Sequence, residues 1–197
     1  MAGFGATCLV VAPITAEAGN TITYGTGARV EHLRRVAITY NWDESKFAGD
    51  NMTAEYYNHL IDADVEIETT ELDGEIAVIM GLEKVKTAAE SGANATNALY
   101  TMKTESGAPC GVGFIQNLLI NNVPIYRAIW VHKVTMRPSN ENASTKEDTI
   151  NWQAPTVNGK AFPVNLDASG EAQVRDFREY STEAAALTWL KSLANIQ

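Results

Sequence analysis

A stretch of seven residues in which acidic and apolar side chains alternate constrains the fold of this chain more than any other feature. It reads Asp62-Ala-Asp-Val-Glu-Ile-Glu. Successive side chains of a β-strand point to opposite faces, so this period of two predicts a strand with one buried face and one carboxylate-covered face. Like charges about 7 Å apart along a strand repel one another, so we expect the carboxylate-covered face to look into water. The four residues on that face are Asp62, Asp64, Glu66 and Glu68.

The net charge of the chain is concentrated around this strand. The 197 residues include 24 acidic and 15 basic ones, which gives a formal net charge of −9. Residues 43–90 contain 13 acidic and 3 basic side chains, a local net charge of −10, so the rest of the chain is close to neutral. Tight binding to nucleic acid uses clustered cations that contact phosphates, and an acidic chain of this kind is therefore a poor candidate for holding DNA or RNA.

Composition and periodicity predict a single, mainly β domain over residues 1–197. Hydrophobic residues make up 45% of the chain and charged residues 20%, which suffices to bury a core. We predict strands at 6–13, 111–119, 124–136 and 149–154, and a final hairpin at 155–162. The strand at 124–136 is apolar on both faces, which is typical of the middle of a β-sandwich or barrel. No apolar run has the roughly 18 residues of a membrane helix, and the first residues lack the basic region of a secretory signal.

Two helices are predicted beside the strands. A short helix begins with Asp73 as its N-cap and ends at Gly81. An amphipathic C-terminal helix is predicted within residues 181–195, capped by Ser181 or Thr182. The segment 87–104, which is rich in Ala, Asn, Ser and Thr, is predicted to be a loop.

The polar segment 41–54 is the longest predicted connection. Gly49-Asp50-Asn51 lies near its centre and favours a turn, so the segment is either an extended hairpin or a long loop. Trp42, Phe47 and Met52 are apolar residues within this polar setting. Connections of this length in a compact domain usually have a function.

The sequence lacks recognisable motifs of catalysis and of metal or cofactor binding. The three histidines and the two cysteines, Cys8 and Cys110, are not spaced as metal ligands, and we predict two buried thiols. The chain contains no nucleophile elbow, phosphate-binding loop or dinucleotide fingerprint. Carboxylates on one regular strand face have no evident reason to acquire the unequal pKa values that glycoside hydrolysis requires. We therefore predict no catalytic, metal-binding or cofactor-binding residues.

Several segments, in a fixed order, resemble the major tail protein family of long-tailed, non-contractile bacteriophages. They are residues 108–115, 126–134 and 145–159, preceded by Thr23-Tyr-Gly, the segment after Tyr40, the alternating acidic strand and residues 72–81. The resemblance implies a β-sandwich or barrel-like tail tube fold with a flanking helix. It also implies a structural virion protein, made in the host cytoplasm, whose hexameric rings stack into the tube through which the DNA genome is ejected. The implied partners are further copies and the tape-measure, terminator and distal tail proteins, with no membrane.

The resemblance gives two candidate surfaces a role. In a ring, the strand with Asp62, Asp64, Glu66 and Glu68 can line the lumen, where its negative charge keeps DNA from sticking and DNA passes without specific binding. The segment 41–54 can contact the next ring. Its candidate contact residues are Trp42, Phe47, Asp50 and Met52.

Two other interpretations remain open from the sequence. The first is a different virion β-sandwich, such as a tail terminator or a head decoration protein. The second is a carbohydrate-binding module, which rests only on the tryptophans Trp42, Trp130, Trp152 and Trp189 in a β-rich chain. Because Trp130 and Trp152 lie in predicted central strands, burial in the core is favoured for them over a sugar-binding platform.

Overall fold

The structure, a computed structural model, describes residues 2–49, 52–87, 99–102, 104, 107–139, 154–166 and 170–197. These residues are mainly β, with two short helices, which confirms the predicted fold class. The strands are β1 Ala2–Ala18, β2 Thr21–Tyr24, β3 Ala28–Val30, β4 Leu33–Gly49, β5 Met52–Thr69, β6 Glu83–Thr87, β7 Leu99–Met102, β8 Cys110–Ile120, β9 Val123–Pro138, β10 Thr156–Ala161, β11 Val164–Asn165, β12 Ala172–Gln173 and β13 Arg175–Tyr180. The helices are α1 Gly74–Ile79 and α2 Glu183–Leu193.

One large antiparallel sheet organises the chain. Its strand order is β2-β1-β8-β9-β10-β5-β4, with β3 also paired to β1 and β13 also paired to β9. The sheet folds back on itself, because Leu9 and Val11 of β1 share a buried cluster with Val65 and Ile67 of β5. The result is a β-sandwich-like fold with its main core between the two halves of the sheet.

Strand β9 is apolar on both faces because each face is covered. A register shift opposite Cys110 and Val112 changes which side chains face the main core, from Val131 to Val134. The other face carries Trp130, which belongs to a second buried cluster under α2. Strand β9 therefore lies between two cores, as its sequence predicts.

The C-terminal helix α2 covers this second cluster. Its buried residues Ala186 and Leu190 pack with Trp130. Of the two candidate caps, Thr182 is the N-cap, and its side-chain oxygen accepts a hydrogen bond of 3.4 Å from the Ala185 N–H. The helix thus occupies the predicted range, with slightly shorter ends.

The short helix α1 also lies where the sequence predicts it. Asp73 is the N-cap residue but makes no side-chain capping bond, while Gly81 follows the helix with a φ of +75°, a left-handed conformation that suits glycine. Ala77 and Met80 of this region are buried in the main core. Helix α1 therefore packs against the main core.

Two predictions about connections are wrong. Residues 155–162 do not form a hairpin, because β10 is one straight strand paired to β5 and β9. Gly159 does not form a turn; it allows the Met136 side chain of β9 to approach the β10 backbone closely, since a Cβ at Gly159 would lie 2.6 Å from the Met136 sulfur. The segment 87–104 is not all loop, because β7 pairs with β6. Residues 88–98 lie outside the described residues, as do residues 149–153 of the predicted strand at 149–154.

Candidate functional site

The candidate site is the long hairpin formed by β4 and β5. The two strands pair from Leu33 opposite Thr69 to Gly49 opposite Met52, so the segment 41–54 is an extended hairpin and not a loop. A register shift divides the hairpin, because Asn41 pairs with Asp62 whereas Trp42 pairs with Leu60. We call residues 33–41 and 62–69 the inner half, and residues 42–49 and 52–61 the outer ribbon.

The inner half separates apolar from charged side chains as the alternation predicts. Ala63, Val65 and Ile67 are at most 1% exposed and belong to the main core. The opposite side, which we call the carboxylate face, carries Asp62, Asp64, Glu66 and Glu68 with side-chain exposures of 18%, 53%, 42% and 26%. The four carboxylates are thus brought together on one partly exposed surface.

Cations from the neighbouring strands contact every carboxylate of this face. From β4, Arg35 lies 2.6 Å from Glu66, and Arg34 lies 3.0 Å from Glu68. From β10 on the other side, the Lys160 ammonium lies 3.1 Å from both Asp62 and Asp64. Cross-strand ion pairs therefore offset the repulsion within this row of like charges, in addition to the water that its partial exposure admits.

Asn41 adds a neutral bridge between two of the carboxylates. Its amide nitrogen donates to Asp62 at 2.6 Å and to Asp64 at 2.8 Å. These hydrogen bonds, followed by those from Lys160, hold the pKa of both aspartates below the ordinary value. In return, the two carboxylates raise the pKa of Lys160. The charged forms of all three groups are thus mutually stabilised.

A shallow depression of about 260 Å³ lies on the same surface. Two arginines, Arg35 and Arg137, and two carboxylates, Asp64 and Glu66, line it together with the amide of Asn158. Because its cations and anions are equal in number, the depression offers polar contacts without a net charge. The carboxylate face is therefore a polar, charge-paired surface and not a bare negative wall.

The outer ribbon differs in that its described side chains are exposed on both faces, apart from Leu60. Trp42 is 52% exposed, and of the described ribbon side chains only Leu60 is partly covered. The face with Trp42, Leu60 and Tyr56 continues the core-facing side of the inner half, since these positions follow Tyr40 and Ala63 in register. The exposed apolar and aromatic side chains of the ribbon are Trp42, Tyr56, Tyr57 and Ile61.

The sequence-based candidates on this segment are placed only in part. Trp42 is exposed on the ribbon, as a contact residue must be. Phe47 and Met52 lie in the paired strands, but their side chains, and the whole of Asp50, are outside the described residues. The sequence reasoning missed Tyr56 and Tyr57; a tyrosine doublet within a polar stretch was the signal available. It also missed the cations of the carboxylate face, namely Arg34, Arg35 and Lys160.

The cysteines and histidines of the described chain do not form a reactive or metal-binding site at the hairpin. Burial raises the pKa of Cys110 to about 12, so its thiolate is strongly disfavoured. Cys8 is only partly buried, so the prediction of two buried thiols holds for Cys110 alone. The Cys8 sulfur lies 3.3 Å from the Glu183 carboxylate, and its pKa is also raised, chiefly by burial. Within the described residues, no group of three or more His, Cys, Asp or Glu side chains is arranged to hold a metal ion.

The tryptophans are also divided between core and surface. Trp130 is 1% exposed and packs edge-on against Tyr24 at 5.1 Å between ring centroids, which confirms its predicted burial. Trp152 lies outside the described residues.

Neither helix in the described part of the chain has the length and apolar character needed to cross a membrane.

The candidate site is thus one hairpin with two unlike parts, a charge-paired inner half and an uncovered outer ribbon. A scan against models of known protein families finds no match for this chain, and a search of curated proteins finds none either.

Proposed function

We propose that this chain is a structural subunit that assembles with copies of itself into the tail tube of a bacteriophage. In this proposal, hexameric rings stack into a tube, and the DNA genome passes through the lumen. The observation that carries the proposal is the outer ribbon, whose side chains Trp42, Tyr56, Tyr57 and Ile61 are each more than half exposed. Isolated two-stranded hairpins are marginally stable in water, so a ribbon of this kind favours a partner surface.

The length of the ribbon suits contact with another subunit. Strand β5 has eight steps from Leu60 to Met52, which at about 3.3 Å per residue extend roughly 26 Å beyond the sandwich. The side of the ribbon that carries Trp42, Leu60 and Tyr56, together with Glu44 and Lys46, continues the core-facing side of the inner half. A neighbouring copy that covers this side would extend the core across the subunit boundary, as obligate interfaces do.

The carboxylate face suits a surface along which DNA slides. Attraction of DNA to proteins comes mainly from lysines and arginines that replace counterions at phosphates. Here Arg34, Arg35 and Lys160 are already paired with carboxylates. A lumen lined by this face would offer few free cations to phosphates, and its net charge would be nearly balanced. Weak contact with DNA then follows from charge pairing, and not from bare negative charge.

Electron microscopy of the purified protein at rising concentration tests the proposal. We expect stacked rings or tubes above a threshold concentration; trimers would favour a head decoration protein, and a monomer at every concentration would overturn self-assembly. The matched variant removes residues 43–59 and joins Trp42 to Leu60, which pair in the hairpin, through an Asn-Gly turn. This variant should fold and remain unassembled, and tubes formed by it would contradict the role of the ribbon.

In the virion, the proposed tube would also contact the tape-measure, terminator and distal tail proteins. Those contacts follow from the family resemblance and extend the same proposal. Co-assembly of purified tubes with the terminator protein of the same phage would test them, and closed tube ends are the expected result.

A further inference from the structure

Strand β13 is an edge strand of the large sheet. It pairs with β9 and, within the described residues, with no other strand. Its residues 176–179 are all exposed. An edge strand presents a row of unpaired N–H and C=O groups, which a strand of another chain can pair with. Strand β13 is therefore a candidate surface for such pairing.

The pairing with β9 determines which backbone groups of β13 point to the open edge. The His132 N–H donates to the Val174 carbonyl at 3.1 Å, which continues the register of the β9–β13 pair. In an antiparallel ladder, a residue directs both of its backbone groups to the same side, and the next residue directs them to the other side. The even-numbered residues of β13 thus face β9. The open edge is formed by the backbone of Arg175, Phe177 and Glu179.

The charges along β13 are self-complementary in one antiparallel register. The sequence Arg175-Asp-Phe-Arg-Glu carries opposite signs at equal distances from Phe177. When Phe177 lies opposite Phe177 of a second copy, Asp176 faces Arg178 of that copy. Arg175 then faces Glu179 of the second copy, and two-fold symmetry repeats both pairs. Opposite charges in directly facing positions stabilise a strand pair.

The nearest alternative registers bring like charges together. Because only odd-numbered residues have backbone groups at the open edge, a hydrogen-bonded pairing of two β13 strands must place odd-numbered residues opposite one another. The two registers next to the symmetric one at Phe177 then place Asp176 opposite Asp176, or Arg178 opposite Arg178. Like charges in facing positions destabilise a strand pair. The charge pattern therefore selects the register that has Phe177 at its centre.

The side chains that this register brings together are accessible. Arg178 is exposed and forms no ion pair with the described residues. The side chain of Asp176 is 56% exposed, and Phe177 is 53% exposed. The guanidinium groups of Arg127 and Arg175 lie 4.8 Å and 5.6 Å from the centroid of the Phe177 ring. A facing Phe177 would cover apolar surface that is otherwise in water, and a facing aromatic pair adds to strand pairing.

We propose that β13 is a two-fold docking surface for the β13 of a second copy of this chain. The two strands pair antiparallel with Phe177 at the symmetry axis, and they join the two sheets edge to edge. The same patch is used on both copies, so the contact closes on two copies and does not propagate into a ring. Because only 6 residues of each copy meet, we expect a weak dimer whose population rises with concentration. The inference goes beyond the proposed tube and concerns the protein below its assembly threshold.

Two charge-reversal variants, first alone and then mixed, test the pairing. Asp176→Lys and Arg178→Glu each place like charges opposite one another twice in a homodimer, so each should weaken the dimer at least about tenfold. In an equal mixture every charge again faces an opposite charge, and the heterodimer should recover most of the loss. Native mass spectrometry with one variant ¹⁵N-labelled distinguishes the three dimers. The matched control Lys86→Glu, on β6, changes the net charge as Arg178→Glu does and should dimerise like the wild type.

Cysteine pairs test the register by geometry. In the proposed contact, Asp176 and Arg178 of the second copy form a pair without backbone hydrogen bonds, with Cα atoms about 4.5 Å apart. A disulfide spans this distance, so a mixture of Asp176→Cys and Arg178→Cys should oxidise to a covalent heterodimer. Either variant alone presents its new thiols only on a diagonal, about 7–8 Å apart, and should cross-link far less. The wild type controls for the native thiols of Cys8 and Cys110.

The outcomes separate this inference from the proposed function. A wild type that stays monomeric at every concentration below the tube threshold would overturn the two-fold contact. A dimer that persists in both charge-reversal variants would overturn it as well, because another surface would then hold the copies together. Circular dichroism and thermal unfolding check that each variant folds, and where a charge-reversal variant does not, the cysteine mixture decides. None of these results bears on the tube, which electron microscopy tests.

Discussion

The inner half and the outer ribbon belong to the same two strands, yet their surroundings are opposite. In the inner half, β5 lies between β4 and β10, with the main core on one face and a charge-paired surface on the other. In the outer ribbon the same strand has, within the described residues, only β4 beside it, and its described side chains are exposed apart from the partly covered Leu60. Strand pairing alone is therefore common to both halves, and burial and flanking cations are what distinguish them.

The difference shows which half stabilises the chain and which half is free for other contacts. Burial of Val65 and Ile67 removes apolar surface from water within the chain itself. Trp42 and Ile61 gain much less burial, since each is more than half exposed. Substitutions in the inner half should thus change the free energy of unfolding, and substitutions in the outer ribbon should change assembly.

The largest expected effect compares two isoleucines of β5. Ile67→Ala in the inner half should lower the free energy of unfolding by about 3 kcal/mol, because it leaves a cavity in the core. Ile61→Ala in the outer ribbon is the matched control and should change it by less than about 0.5 kcal/mol. Urea unfolding below the assembly threshold measures both, and equal losses would contradict the division of the hairpin.

The next effect concerns assembly alone. Trp42→Ser removes the largest described apolar side chain of the outer ribbon. A buried interface tryptophan contributes on the order of 2 kcal/mol, so the threshold concentration should rise about 30-fold. Tyr57→Ser, on the opposite side of the ribbon, is the control and should have a smaller effect. Light scattering against concentration measures the threshold, and an unchanged value for Trp42→Ser would remove this residue from the interface.

The smallest expected effect tests the polar bridge of the inner half. Asn41→Leu removes the hydrogen bonds that lower the pKa of Asp62 and Asp64, so both pKa values should rise towards the ordinary aspartate value of about 3.9. Carboxyl ¹³C NMR titration below the assembly threshold measures the change. Asn58→Leu in the outer ribbon should leave both values as they are in the wild type.

The same substitution makes a prediction about pH and stability. A carboxylate whose folded pKa is depressed contributes stability above its unfolded pKa, and this contribution is lost as the pH falls through the folded pKa. The stability difference between the wild type and Asn41→Leu should therefore be present at neutral pH and shrink below about pH 4. A difference that stays constant down to pH 2 would show that Asn41 acts only through packing.

Much of the fold is readable from local patterns, and the site is readable only in part. The alternation at 62–68 identifies which side chains of β5 are buried, and Thr182 and Gly81 mark where helices begin and end. Asn158-Gly159 misleads, because the pair resembles a turn whereas Gly159 makes room for Met136 inside a sheet. Local propensity cannot distinguish these two uses of glycine, because the side chain that requires a glycine here, Met136, lies on another strand.

The sequence by itself determined that β5 has one apolar and one acidic face, because a side-chain period of two is a local property of an extended chain. It also predicted a turn near residues 49–51, within the long polar segment after Tyr40. Only the tertiary structure decided that the acidic face is charge-paired, because Arg35 and Lys160 are brought to Glu66 and Asp64 by strands that lie 31 and 96 residues away in the chain. Only the tertiary structure, too, decided that β5 extends beyond its neighbour β10 into an exposed outer ribbon. The burial of a strand depends on where the neighbouring strands end, and the strand's own sequence does not specify this.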